Sequence, residues 1–433
     1  DTAASARMTE QIGKLADRKP PAALAVGDLD GDRRPDLALV KQSDLQVLVL
    51  AVDQPDGDYL IVTPPMMNFG EVISALDIGG LDGDKRLDLG VGSNFTLPDP
   101  GPSVRSVALE VHPVIRGPKE LHRLAPGCAW VLDLPRPDVQ RLEYRFRLRG
   151  AGHEGLILDP ANPGRVATAF GERSVLELPG YAAPTWLGDD APVGTLEAMM
   201  VDGELADPVP VTVWQPHGVS ADDPLPLLVV QDGPEYAELA ALARFSAALV
   251  AGGRLPPHRL ALCQPVHRNA WYSASGPYLR TLTGPVLDHL THRYAGCSPI
   301  VVMGASLGGV TALLAATARR DRIAGVFAQS GSFFRRRTDG VEPTFGPYQR
   351  ITRRVGALLR APATRTPLRV GITCGALEGN AANNRAMAAA LAAQGHLVSH
   401  AEVPDLHNFT AWRDALDPHL TDVLLDVWNR SAT

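Results

Sequence analysis

Apolar positions along the chain follow two rhythms. From about Arg105 to Gly180 they alternate with polar ones in short runs, such as Trp130-Val131-Leu132-Asp133-Leu134 and Leu142-Glu143-Tyr144-Arg145-Phe146-Arg147-Leu148, divided by proline-rich turns. A period of two predicts strands, and their shortness predicts a small β-sandwich. Further on, short apolar runs alternate with helical stretches. Pro299–Ala305, Leu368–Gly375 and Val398–Val403 read as strands; Val310–Ala316, Asn383–Leu391 (closed by Gly395) and a stretch from about Thr410 read as helices. This alternation predicts an α/β fold, with Gly194–Met200 and Val209–Trp214 as its first strands.

One strand-to-helix junction carries chemistry. Gly304-Ala305-Ser306-Leu307-Gly308 is a G-x-S-x-G between an apolar strand and a helix, the pattern of a nucleophile elbow. The glycines lack Cβ atoms, so the chain can turn sharply and leave the Ser306 hydroxyl exposed above the sheet. The Leu307 N–H, at the start of the helix, then points where an oxyanion would form. A serine nucleophile needs a base and a group to orient that base, and in this fold the chain order is serine, acid, histidine. The strand Leu368–Gly375 delivers Glu378 into a loop, and the next strand ends in Pro404-Asp405-Leu406-His407-Asn408. His407 is the histidine placed to act as base, with Glu378 and Asp405 competing for the role of acid.

From about Val193 to Trp428 the chain resembles the esterase D branch of the α/β-hydrolases, and within it the enterochelin-esterase-like (ferric siderophore esterase) group. The resemblance is carried by Val229-Val230-Gln231-Asp232-Gly233, His267-Arg268-Asn269-Ala270-Trp271-Tyr272, Gly304–Gly309, Gln329-Ser330-Gly331-Ser332-Phe333, Glu378 with Asn384-Arg385, and His407 with Trp412-Arg413. It implies Ser306 as nucleophile, His407 as general base, Glu378 as orienting acid, and the N–H groups of Gly233 and Leu307 as the oxyanion hole. Arg268, Trp271 and Tyr272 are expected at the substrate, where Arg268, like the run Arg335-Arg336-Arg337, would neutralise a catecholate or carboxylate. The family often has Gly-Gly-His-Asp where this chain has Asp405-Leu406-His407-Asn408, so the histidine loop is expected to differ. Esterases of this type commonly carry an N-terminal sandwich, which marks residues 103–190 as a lid or substrate-positioning module.

The first hundred residues have another character. Every lysine (Lys14, Lys19, Lys41, Lys85, Lys119) falls before residue 120, and two similar segments, Val26–Ala38 and Ile78–Gly90, stand in register 52 positions apart. Such a period suits a propeller blade. The repeated segment resembles the FG-GAP (integrin-type) calcium loop, in which alternating carboxylates wrap one hard cation. The resemblance implies Asp28, Asp30, Asp32 and Asp36 as Ca²⁺ ligands, with the Arg34 carbonyl. The second copy has Gly80 at the first position and keeps Asp82, Asp84 and Asp88, so it should bind more weakly or not at all.

The expected architecture is therefore an FG-GAP-like repeat segment (1–102), a small β-sandwich (103–190) and an α/β-hydrolase domain (191–433). With 433 residues, 45% of them hydrophobic, the chain has ample core for two or three domains, and a net charge of −7 gives no reason to expect nucleic acid as a partner. No run of 18 apolar residues is present, so no membrane span is expected. Four scattered cysteines, Cys128, Cys263, Cys297 and Cys374, show no metal-binding spacing and favour a reducing, cytoplasmic setting. An extracellular setting is expected instead if the repeat segment is native and a signal has been removed from before Asp1. The expected function is hydrolysis of a small-molecule carboxylic ester through an acyl-enzyme, with a siderophore lactone as one substrate, and with no cofactor in the reaction. A broader carboxyl- or feruloyl-type esterase or acyltransferase is the alternative within the class. A non-catalytic adhesion protein is the alternative outside it. Oligomeric state is not legible.

Overall fold

The structure is a computed structural model that describes residues 23–27, 36–40, 47–53, 59–61, 76–79, 88–111, 119–123, 129–135, 137–150, 153–178, 180–336 and 345–430. The chain divides into two compact units, one comprising 1–165 and 174–181, the other 166–173 and 182–433.

In the first unit, short strands at 23–27, 36–40, 47–53 and 59–61 form a four-stranded sheet, and a nine-stranded sheet gathers the strands from Leu76–Gly79 to Arg173–Glu177. The boundary expected at residue 102 falls inside that second sheet. Strand Asp88–Pro98 pairs antiparallel with Ala129–Pro135, placing Phe95 opposite Leu132 and Leu97 opposite Trp130. The buried Phe95 ring then meets Tyr144 edge-on at 4.9 Å, so burial of these apolar side chains ties the end of the repeat segment into the sheet. Asp28, Asp30, Asp32, Gly80, Asp82 and Asp84 lie outside the described residues, as does the side chain of Asp36, which opens the strand Asp36–Val40.

The second unit is built on eight strands: β1 (Thr195–Val201), β2 (Val209–Gln215), β3 (Leu227–Gln231), β4 (Arg259–Cys263), β5 (Ile300–Ala305), β6 (Ile323–Gln329), β7 (Arg369–Gly375) and β8 (Leu397–Val403). Their order is β1-β2-β4-β3-β5-β6-β7-β8. Only β2 runs against the rest: it pairs antiparallel with β1 and β4, and the ladder from β4 to β8 is parallel. Strands covered on both faces need apolar side chains at every position. In β3, Val229 joins one buried cluster with Val211, Val302 and Ile372, while Leu228 and Val230 join another with Phe245, Met303 and Phe327. Alternate residues thus feed cores on opposite faces of the sheet. The unit begins earlier than the expected residue 191, because Trp186 is buried and its ring meets Phe245 edge-on at 5.4 Å. Among the described residues no helix is long and apolar enough to cross a membrane.

Candidate active site

Parallel strands end on one edge of a sheet, so the segments following β3, β5, β6, β7 and β8 are brought together there. β5 runs into Ser306, which holds φ +56° and ψ −119° before the helix Leu307–Ala318. That backbone is strained for a residue with a side chain, and it is enforced by its neighbours. The Ser306 N–H donates to the Gln329 carbonyl at 2.9 Å, and the Ser306 carbonyl accepts from Ser332 N–H at 3.0 Å and Gly309 N–H at 3.1 Å. A Cβ at Gly304 would stand 2.6 Å from the Gly308 backbone, so only glycine permits this approach. The Ser306 hydroxyl lies 3.1 Å from that of Ser332.

The loops after β7 and β8 bring a carboxylate and an imidazole together. Nδ1 of His407 is 2.7 Å from Oε2 of Glu378. The other carboxylate oxygen, Oε1, accepts from the Ser330 hydroxyl at 2.6 Å and the Gly375 N–H at 2.8 Å. Burial by itself would raise the Glu378 carboxyl. The positive charge of His407 and the hydrogen bonds from His407, Ser330 and Gly375 outweigh it and hold the group below the ordinary glutamate value. Asp405 sits elsewhere: its Oδ1 accepts from the Leu406 N–H at 2.7 Å and from Asn408 Nδ2 at 3.1 Å. Asn408 in turn caps the helix Phe409–Asp414 through Ala411 N–H. Asp405 therefore shapes the histidine loop, and Glu378 is the carboxylate on the imidazole.

The turn after β3 packs Gln231 and Asp232 against the elbow glycines and opens a helix at Gly233. Gly233 and Leu307 each open a helix, so neither N–H has an acceptor within its own helix. A Cβ at Gly233 would meet the Leu262 backbone at 2.4 Å, and one at Gly308 would meet Gln231 at 3.2 Å and Asp232 at 3.3 Å. Arg268, Trp271 and Tyr272, expected at the substrate, make these contacts within the protein. Trp271 and Tyr272 are buried, Trp271 stacks on Tyr278 at 5.4 Å, and the Tyr272 hydroxyl accepts the Asp232 N–H at 3.0 Å. Their rings are too apolar to leave in water when a core beneath the turn can take them. Arg268 chelates Asp232, with Nε 2.8 Å from Oδ1 and Nη2 2.7 Å from Oδ2.

Four residues that brace these turns were not assigned a role from the sequence. Ser330, at φ +49°, both donates to Glu378 and accepts from Trp412 Nε1 at 2.9 Å. Asn380 and Asn384 secure that turn by donating to the Ser330 and Gly331 carbonyls at 2.9 and 3.0 Å. Gln329 is fully buried. Its Oε1 accepts from Tyr236 at 2.8 Å and its Nε2 donates to the Trp412 carbonyl at 3.0 Å, so one carboxamide links the helix of Gly233 to the helix after His407. The polar Gln329-Ser330-Gly331-Ser332 run directly after an apolar strand was the available signal.

The family model described as "Putative esterase" matches residues 203–423, just over half of the chain. Among solved structures, the enterochelin esterase of Shigella flexneri is 20% identical, with a TM-score of 0.62 over 78% of this chain and 93% of that one. The same enzyme in the presence of enterobactin gives a TM-score of 0.62 at 20% identity, over 82% and 96% of the two chains. The ferric enterobactin esterase of Salmonella typhimurium gives 0.61, also at 20% identity, over 78% and 93%. These likenesses are of fold. No curated protein matches the chain. With its eight-stranded sheet and elbow serine, the chain belongs to the esterase family, whose members act on small-molecule esters.

Proposed function

We propose that this chain is a serine carboxylesterase. Ser306 attacks the ester carbonyl while His407 takes its proton. The N–H groups of Leu307 and Gly233 stabilise the tetrahedral oxyanion. His407 returns the proton to the leaving alcohol, and water then releases the acid from the acyl-enzyme by the reverse sequence. Glu378 fixes the imidazole orientation and stabilises its charge. The observation that carries this reading is the 2.7 Å contact between His407 Nδ1 and a buried carboxylate, on the same sheet edge as a serine in elbow conformation.

The fold likeness to enterochelin esterases favours a siderophore lactone as substrate. A cavity of about 540 Å³ lined by Arg335, Arg336, Arg353 and Arg360, whose wall begins at Phe334, two residues past Ser332, is suited to an anion. Arg336 also donates to Gln349, and Arg337 lies outside the described residues. A broader carboxyl-esterase or acyl-transfer activity shares the same chemistry. The test is labelling with a fluorophosphonate, followed by a screen of acyl chain lengths beside a catecholate trilactone. Absence of label from native protein, or equal labelling of Ser306→Ala, would overturn the serine mechanism. Turnover of simple acyl esters with none of the trilactone would assign the broader activity.

A further inference from the structure

We propose that Arg268 is a positioning residue for hydrolysis, acting through Asp232 to aim the Gly233 N–H at the oxyanion; the inference rests on the serine-esterase reading above. Asp232 ends β3 in the left-handed region, at φ +55° and ψ +43°. An aspartate visits that region more readily than most residues, yet it stays there only where the surroundings over-determine it. Here three contacts do so. Its carboxylate, almost fully buried, is held at both oxygens by Arg268. Its N–H is taken by the Tyr272 hydroxyl at 3.0 Å, and its carbonyl accepts the Tyr236 N–H at 2.9 Å.

The last contact fixes the peptide that matters. In a trans peptide the N–H points opposite to the carbonyl. With the Asp232 carbonyl committed to the first turn of the helix Gly233–Leu239, the Gly233 N–H is directed back out of the helix start, in a turn whose Asp232 carboxylate a Cβ at Gly308 would meet at 3.3 Å. If the carboxylate clamp were lost, Asp232 would be free to leave the left-handed region, and rotation of the 232–233 peptide would withdraw that donor. A carboxylate is required because the turn is buried and only a charged, bidentate partner holds it at two points. Arginine is required because its planar fork fits both oxygens at once.

One turn of helix delivers the clamp. Arg268 opens the helix Arg268–Trp271 and Tyr272 follows it, four residues on and therefore on the same face. The guanidinium lies over the Tyr272 ring, 5.6 Å from its centre, so each partner of Asp232 also holds the other. The signal in the sequence is an arginine and a tyrosine spaced i, i+4, far from the aspartate that they serve.

The experiment is a double-mutant cycle on the purified full chain, with p-nitrophenyl butyrate as substrate. Arg268→Ala and Asp232→Asn are each expected to lower kcat about 10²-fold, the scale of losing one oxyanion donor, with KM changed less than about threefold. The double variant should lose no more than either single one, because both break the same link. Arg268→Lys should recover part of the loss, since one ammonium reaches only one oxygen well. A direct substrate contact would look different: KM would rise with kcat kept, and the Arg268 effect would persist undiminished in the Asp232→Asn background. Either result overturns the proposal, as does wild-type kcat in folded Arg268→Ala. If Arg268→Ala does not fold, Arg268→Lys and Asp232→Asn decide by the same criteria. Ser306→Ala run in parallel separates the two readings. Turnover retained there sinks the serine mechanism. Loss of turnover there, beside an unimpaired Arg268→Ala, sinks the positioning role alone.

Discussion

Two buried carboxylates stand in turns at the sheet edge that carries Ser306, and their partners differ. Glu378, after β7, is bound by an imidazole, a serine hydroxyl and a backbone N–H. Asp232, after β3, is bound by a guanidinium at both oxygens. A histidine changes charge near neutral pH and an arginine does not. In the proposed mechanism the first carboxylate stabilises a group that must gain and lose a proton in each cycle, whereas the second holds a turn in a fixed shape. Both carboxylates are buried, but in that proposal one serves proton transfer and the other geometry.

The largest test asks whether both carboxylates serve one nucleophile. Ser306→Ala should cut ester turnover by roughly 10⁴-fold or more while leaving the melting temperature no lower, because the hydroxyl contributes little packing. Next is the acid side. Glu378→Gln should reduce kcat by about 10³-fold, since an amide cannot stabilise the imidazolium in the same way, while Asp405→Asn should cost less than about tenfold. An equal loss from the two variants would erase the distinction between acid and loop former. Smaller again is Ser330→Ala, expected to lower kcat about tenfold by removing one of the two hydrogen bonds to Oε1 of Glu378 and the acceptor of the Trp412 indole N–H together.

Acid stability sharpens the same contrast. The Glu378 carboxyl is held below its unfolded value, so its contribution to stability is present above the unfolded value near pH 4.5 and is lost as pH falls through the folded value. Glu378→Gln should flatten that part of the melting temperature's pH dependence, readable by calorimetry between about pH 6 and 3. The smallest expected effect is on catalysis by chelation. EDTA should leave esterase activity within about twofold of the untreated protein, because acyl transfer through serine and histidine needs no Lewis acid. A fall in melting temperature without a fall in activity would place a cation on the expected loop of Asp28, Asp30, Asp32 and Asp36, apart from the reaction.

The catalytic unit was legible because its demands are local. A G-x-S-x-G after an apolar strand, and a histidine just past a late strand, sit where chain direction alone takes them to the sheet edge. The contact of Glu378 with His407 depends on how two loops fold, and the sequence left Asp405 open beside it. Trp271 and Tyr272 were expected at the substrate since aromatic residues next to an arginine serve a ligand or a core equally well, and only packing separates the two. The boundary at residue 102 misled for a related reason. A change in lysine usage marks composition, whereas strand pairing between Asp88–Pro98 and Ala129–Pro135 is set by partners thirty or more residues away.

The backbone at Ser306 has a bearing on how this enzyme could change over evolutionary time. A serine at φ +56° and ψ −119° keeps a conformation that glycine would adopt with less strain. Replacing Ser306 with glycine should therefore give a more robust fold and, on the proposed mechanism, no activity. Selection for robustness alone would erode this position first, and the serine persists only where turnover is itself selected.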